Sequence, residues 1–122
     1  EIVPTPWSAE LTIEYCMDLM RQVKLVPILL DKEIYGFVLN RLQIALVNEA
    51  MHLVGKGIAT PADIEKTLKN GLGLRWSFMG PFQTMDLAAP SGFKEYAKKN
   101  RPFLQQYGQG TWRCCGMVTR GY

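Results

Sequence analysis

The sequence predicts a mainly helical chain that opens with a strand, a helix and a second strand. Three observations predict it. Apolar residues recur at helical spacing from about 10 to 23 and again over a longer run from about 36 to 55. Proline and glycine punctuate the chain where those runs end. Two short apolar clusters, Glu1-Ile2-Val3 and Ile28-Leu29-Leu30, flank the first run and read as strands. At 122 residues and 48% apolar, the chain is long enough for one compact domain with a modest core. It is too short for a nucleotide-binding domain plus a separate substrate domain.

Thr5-Pro6-Trp7-Ser8 is a turn whose last residue can cap a helix, and Glu10 in the first turn suits the helix dipole. Leu11, Tyr15, Leu19 and Val23 then share one side with Ile13, Cys16, Met17 and Met20 beside them, while Glu14, Asp18, Arg21 and Gln22 gather opposite. This is an amphipathic helix, expected to end at Pro27. After the second strand and the charged turn Asp31-Lys32-Glu33, the run from about 36 to 55 is different in kind. Projected at about 100° per residue, Arg41, Asn48 and His52 form a narrow polar strip and apolar side chains take nearly all the remaining circumference. A helix of that composition is expected to be covered on most sides.

Three polar residues interrupt its apolar arc. Asn40 falls between Val47 and Met51, Gln43 between Ala50 and Val54, and Glu49 beside Leu42 and Val38. A buried amide left without a partner costs roughly 1–3 kcal/mol, so each is expected to meet another element, a second subunit or a ligand. Lys56-Gly57 closes the helix. Thr60-Pro61-Ala62-Asp63 opens the next, with threonine as cap, proline at the first helical position and an acid three residues after the cap. Ile64 and Leu68 give it a narrow stripe, and Gly71 is the expected stop. The stretch 72–82 reads as an inward-packing loop, and Pro81 then starts a short helix carrying Phe82, Met85 and Leu87. Pro90-Ser91-Gly92 interrupts, Phe93 and Tyr96 suggest one or two further turns, and from Gly108 no period survives. No internal repeat is present.

Composition excludes several functions. The net charge of +3 is mild, and the cluster Lys98-Lys99-Asn100-Arg101 reads as a solvated helix end, so nucleic acid is not expected as a partner. No stretch reaches the roughly 20 apolar residues of a membrane helix. Cys16, Cys114 and Cys115 fit neither an even disulfide framework nor a C-x-x-C site, which points to a reduced, cytoplasmic setting. With His52 as the single histidine, no Ser/His/Asp or Cys/His set can be assembled. Acidic residues show no metal-ligand spacing, and Asp63, Glu65 and Asp86 read as cap and surface groups. Gly71-x-Gly73 lacks a third glycine and follows a helix where a dinucleotide fingerprint follows a strand, so no cofactor site is expected within the chain.

Two separated motifs carry a family likeness. Lys32-Glu33-x-x-Gly36-Phe37-Val38-Leu39-Asn40-Arg41-Leu42 resembles the opening of the C-terminal helical domain of the 3-hydroxyacyl-CoA dehydrogenase family. Gly71-Leu72-Gly73-Leu74-Arg75-Trp76-Ser77-Phe78-Met79-Gly80-Pro81-Phe82 with Thr84-Met85-Asp86-Leu87 is similar to the lambda-crystallin and L-gulonate 3-dehydrogenase branch, and carnitine dehydrogenases are similar too. The resemblance extends over about 1–96.

What it implies is a helical domain of the 6-phosphogluconate dehydrogenase-like type over 32–107, preceded over 1–31 by the end of an NAD-binding Rossmann domain and followed over 108–122 by an irregular tail. The parent would be an NAD-dependent dehydrogenase whose substrate, a small hydroxy acid or an acyl-CoA, sits between the two domains, and whose helical domain makes a homodimer. In that family a glutamate in a Leu-Val-Glu-Val-like strand orients the catalytic histidine, and Glu1 matches it. The histidine and the NAD loop would lie upstream, with Glu1 at the cut edge of a longer protein, so the chain alone is not expected to catalyse. Asn40 matches the helix-start asparagine that hydrogen-bonds the reacting oxygen. Arg41 is expected to be structural. Arg75 and Trp76 are candidates to meet a substrate carboxylate and its carbon chain, a guanidinium being suited to a two-point grip on a carboxylate. Severed from its sheet, 1–30 is expected to rearrange or pair with another copy. The alternative is a free-standing helical dimerisation module without enzymatic activity.

Overall fold

The computed structural model describes residues 1–102 and 104. They are mainly helical, in the order α1 (Glu10–Gln22), α2 (Phe37–Gly55), α3 (Pro61–Thr67), a π-helical turn (Leu68–Leu72), α4 (Gly73–Trp76), α5 (Pro81–Leu87) and α6 (Phe93–Lys99). The chain folds as two compact units, Glu1–Pro61 and Ala62–Tyr122. The irregular tail expected from Gly108, with Cys114 and Cys115, falls outside the described residues.

In the first unit the two expected strands are reduced to one parallel bridge between Ile2 and Leu29. The Ile2 N–H donates to the Ile28 carbonyl at 2.8 Å, and the Leu30 N–H donates to the Ile2 carbonyl at 2.9 Å. The next rung of a parallel ladder would need an N–H from Pro4, which has none, so pairing cannot continue forward.

Ser8 does not cap α1. Its hydroxyl accepts the Thr5 N–H at 2.9 Å, and its N–H reaches the Thr5 carbonyl at 3.0 Å, so it closes the preceding turn and leaves Ala9 at the cap position. Nor does Pro27 end α1. The helix stops at Gln22 because Lys24 turns left-handed (φ 63), with Leu25 N–H on Met20 O and Lys24 N–H on Arg21 O, both at 3.0 Å. This is a Schellman ending with lysine where glycine is usual. α2 ends the same way on Gly57 (φ 67), with Ile58 N–H on Leu53 O at 3.0 Å and Gly57 N–H on Val54 O at 2.9 Å.

Ile13, Cys16, Met17 and Met20 form the half-buried stripe of α1, and Leu46, Ala50, Leu53 and Val54 that of α2. Both follow helical periodicity. Among the described residues no side chain is fully buried, and α2 leaves Leu39, Leu42 and Met51 each about two-thirds exposed. The close covering expected for α2 is therefore absent within this unit, and Asn40, Gln43 and Glu49 are exposed.

In the second unit Gly71 does not stop the helix. The backbone passes from α3 through the π turn into α4, and Asn70 donates its side-chain amide to the Lys66 carbonyl at 2.9 Å. The loop expected over 72–82 is thus helical as far as Trp76. Pro81 opens α5 as expected, and Gln83 reaches back to accept the Gly80 N–H at 3.2 Å. Asp86 on α5 accepts the Phe93 N–H at 2.7 Å, and the rings of Phe82 and Phe93 meet edge to face at 5.6 Å, which pins α6 against α5.

Candidate functional site

The start of α2 is built from a turn and a distant acid. Ile34, Tyr35, Gly36 and Phe37 form a β-turn closed by the Phe37 N–H on the Ile34 carbonyl at 3.0 Å, with Gly36 at φ 79, ψ 3, as a type II turn requires at its third residue. Phe37 is then also left-handed (φ 49), an uncommon conformation for a bulky side chain. Beyond Phe37, the next N–H groups of the helix, those of Val38 and Leu39, have no local side chain to receive them. Gly36 at the cap position has no side chain, and the first turn contains no acid.

Glu1 receives them across 37 residues of sequence. Its Oε2 accepts the Val38 N–H at 2.9 Å and its Oε1 the Leu39 N–H at 2.8 Å. The two bonds favour the ionised carboxylate, so its pKa is held below the ordinary glutamate range by the Val38 amide first and the Leu39 amide second, against a smaller opposing effect of desolvation. Asn40 follows directly in the same turn. Its side chain is exposed, and among the described residues no partner takes its amide. A Cβ at Gly36 would lie 3.5 Å from Arg41 Cγ and 3.9 Å from Asn40 Cβ, at ordinary contact distance, so it is the left-handed backbone and not crowding that calls for glycine there. Two of the residues singled out from the sequence, Glu1 and Asn40, are thus brought to one end of α2.

Arg75 and Trp76 lie together on α4 in the second unit. The Arg75 Nε is buried and has no hydrogen-bond partner among the described residues. Its carbonyl accepts the N–H groups of Phe78 and Met79 at 3.2 and 2.9 Å, which fixes the backbone at this point. Trp76 is 43% exposed. The π turn before them brings the Leu68 carbonyl against Gly73, where a Cβ would lie only 2.9 Å from that oxygen. A side chain at 73 would therefore force this turn to shift, and Arg75 and Trp76 follow it directly.

Sequence reasoning missed the Glu1 clamp and the π turn. The first had a signal, since a long helix that opens on Gly-Phe-Val-Leu has no side chain of its own to cap it. The second had the pair Gly71 and Gly73, read as a stop and a loop. No group of three or more metal-ligating side chains occurs among the described residues. Gly71 and Gly73 sit inside helical backbone and not in a strand-to-helix loop. No described helix is long and apolar enough to cross a membrane.

Known proteins share this arrangement of sequence. The family model for the 3-hydroxyacyl-CoA dehydrogenase C-terminal domain matches residues 36–120. A lambda-crystallin homolog of Rattus norvegicus is 45% identical over 111 residues, 88% of this chain and 35% of the relative. The lambda-crystallin homolog of Homo sapiens is 40% identical over the same shares. A 3-hydroxyacyl-CoA dehydrogenase of Gibberella moniliformis is 36% identical over 108 residues, 86% of this chain and 34% of the relative. The chain spans about a third of the length of these relatives. A match that begins at Gly36, where the turn into α2 is built, and continues through the π turn and α5 settles the family: this chain belongs to the 3-hydroxyacyl-CoA dehydrogenase C-terminal domain family.

Proposed function

We propose that the chain is the substrate-binding and dimerising part of an NAD-dependent dehydrogenase acting on a 3-hydroxy acid or a 3-hydroxyacyl-CoA. The observation that carries this reading is Asn40, an exposed amide without a partner among the described residues, presented from the first turn of a helix whose start is held from outside. An amide N–H there can donate to the substrate oxygen and stabilise charge as it develops on that atom. Glu1 has the charge and the fixed position needed to orient a histidine, because each carboxylate oxygen keeps a lone pair after accepting its α2 amide. Arg75, with its unpartnered Nε, and the exposed Trp76 suit a carboxylate and the carbon chain attached to it.

In the parent protein NAD would be held by the Rossmann domain and not by the helical one. In this reading 1–31 closes the NAD-binding domain and 32–107 is the helical domain. The apolar surface left open on α2 supports a homodimer contact, and the free thiol of Cys16 fits a cytoplasmic setting. The test is Asn40→Ala in the intact protein. Turnover is expected to fall about 100-fold, as for loss of one oxyanion donor, with the dimer unchanged. Equal loss of turnover and of dimer would remove the assignment.

A further inference from the structure

We propose that Glu1 is the positioning residue for Asn40, acting through the backbone of α2. The inference rests on Asn40 meeting the substrate, and it adds how the protein aims that residue. Each oxygen of the carboxylate takes one amide of a consecutive pair, Val38 at 2.9 Å and Leu39 at 2.8 Å. Such a two-point grip fixes direction as well as distance, and Asn40 is the next residue along. Without it no side chain caps the first turn of α2, because Gly36 supplies none and the turn contains no acid. The segment it holds would not stay in place unaided. Phe37 at φ 49 is a bulky residue in left-handed backbone, a conformation that persists only where the surroundings over-determine it.

The clamp is itself anchored. Ile2, next to Glu1, uses both its N–H and its carbonyl in the bridge to the 28–30 segment, so the carboxylate is carried on fixed backbone. The exposed amide of Asn40 is therefore located by a chain of hydrogen bonds that runs from Ile28 and Leu30 to the backbone of Ile2, and from the neighbouring Glu1 carboxylate to the amides of Val38 and Leu39. The carboxylate's remaining lone pairs stay free for a second donor, so orienting a histidine and aiming Asn40 are compatible uses of one side chain.

The experiment breaks the clamp without touching either side chain. In the intact protein an ester linkage is placed between Val38 and Leu39, which exchanges the Leu39 N–H for oxygen, and kcat is measured in the native and Asn40→Ala backgrounds. The expected result is a loss of about 10-fold in the native background and less than about 2-fold in Asn40→Ala, the signature of two changes acting through one interaction. A loss of equal factor in both backgrounds, or no loss in the native one, overturns the inference while leaving Asn40 in its role. If Asn40→Ala itself leaves turnover unchanged, the functional reading fails and takes the inference with it. Should that variant not fold, the same cycle is run with the ester placed between Phe37 and Val38, which removes the other clamped N–H and leaves the Glu1 side chain intact, and the same two comparisons decide.

Discussion

The start of α2 and the start of α4 solve one problem in opposite ways. Each carries a polar side chain singled out from the sequence, Asn40 in one case and Arg75 in the other. The turn before Asn40 is held by a carboxylate 37 residues away in sequence, whereas the turn before Arg75 is set by its own backbone, with the Leu68 carbonyl against Gly73. The first arrangement depends on charge and on long-range pairing, and it can be undone by acid or by changing a remote residue. The second depends on the absence of a Cβ and responds to neither.

Substitutions at glycine probe that difference through backbone geometry, with Gly92 as a yardstick. Gly92 joins α5 to α6 at φ 76, ψ −164, and a Cβ there would lie 2.6 Å from Asp86 Oδ1. Gly92→Ala is expected to cost about 3 kcal/mol, combining a conformation reserved to glycine with a displaced cap, and thermal unfolding of the intact protein measures it. Gly36→Ala is expected to cost about 1–2 kcal/mol for the left-handed conformation alone, because its nearest side-chain neighbours stand at ordinary contact distance. It should raise KM or lower kcat as well, since the turn it strains leads into Asn40.

Gly73→Ala is expected to cost only about 1 kcal/mol, as overlap with a backbone oxygen is partly offset by alanine's better helix propensity. Its effect on function should exceed its effect on stability, because relieving the overlap re-aims Arg75 and Trp76. Binding of a carboxylate substrate compared with that of its neutral amide reads this out. A variant that loses stability but keeps the preference for the acid would break the proposed link between the π turn and Arg75.

The smallest effect sought is that of pH. Because the folded protein holds Glu1 below the ordinary glutamate pKa, the stabilisation is fully present above that ordinary value, near about 4.3, and is lost as pH falls through the lowered one. The melting temperature of the intact protein should therefore fall on acidification through that window, and Glu1→Gln should flatten the fall. Gly73→Ala should leave it unchanged. A parallel flattening in both variants would mean that the two starts are not independent.

Helix existence was legible wherever apolar spacing ran for several turns, as in α1 and α2, and wherever proline marked a first position, as at Pro61 and Pro81. Ends were less legible. Pro27 looked like the stop of α1, yet Lys24 ends it by adopting a conformation that its residue type does not advertise. Ser8 looked like a cap, yet the nearer Thr5 claims its hydroxyl. Asn40 was conspicuous because an amide is out of place in an apolar arc, but the wheel assumed that α2 is covered, and within its unit it is not. The clamp was hidden for a different reason. Pairing between residues 1 and 38–39 is a product of chain path, and no local pattern encodes it.

The π turn has a consequence for the descent of the chain. Five residues filling one turn are what remains when a single residue is inserted into a regular helix and the backbone absorbs it without breaking. Removing one residue between Lys66 and Gly73 should restore an ordinary helix and rotate everything beyond by about 100°, carrying Arg75 and Trp76 to another face. Relatives lacking that residue would then carry a different side chain where Arg75 points. An apparently neutral gap in this stretch would mark a change in the side chains that this face displays.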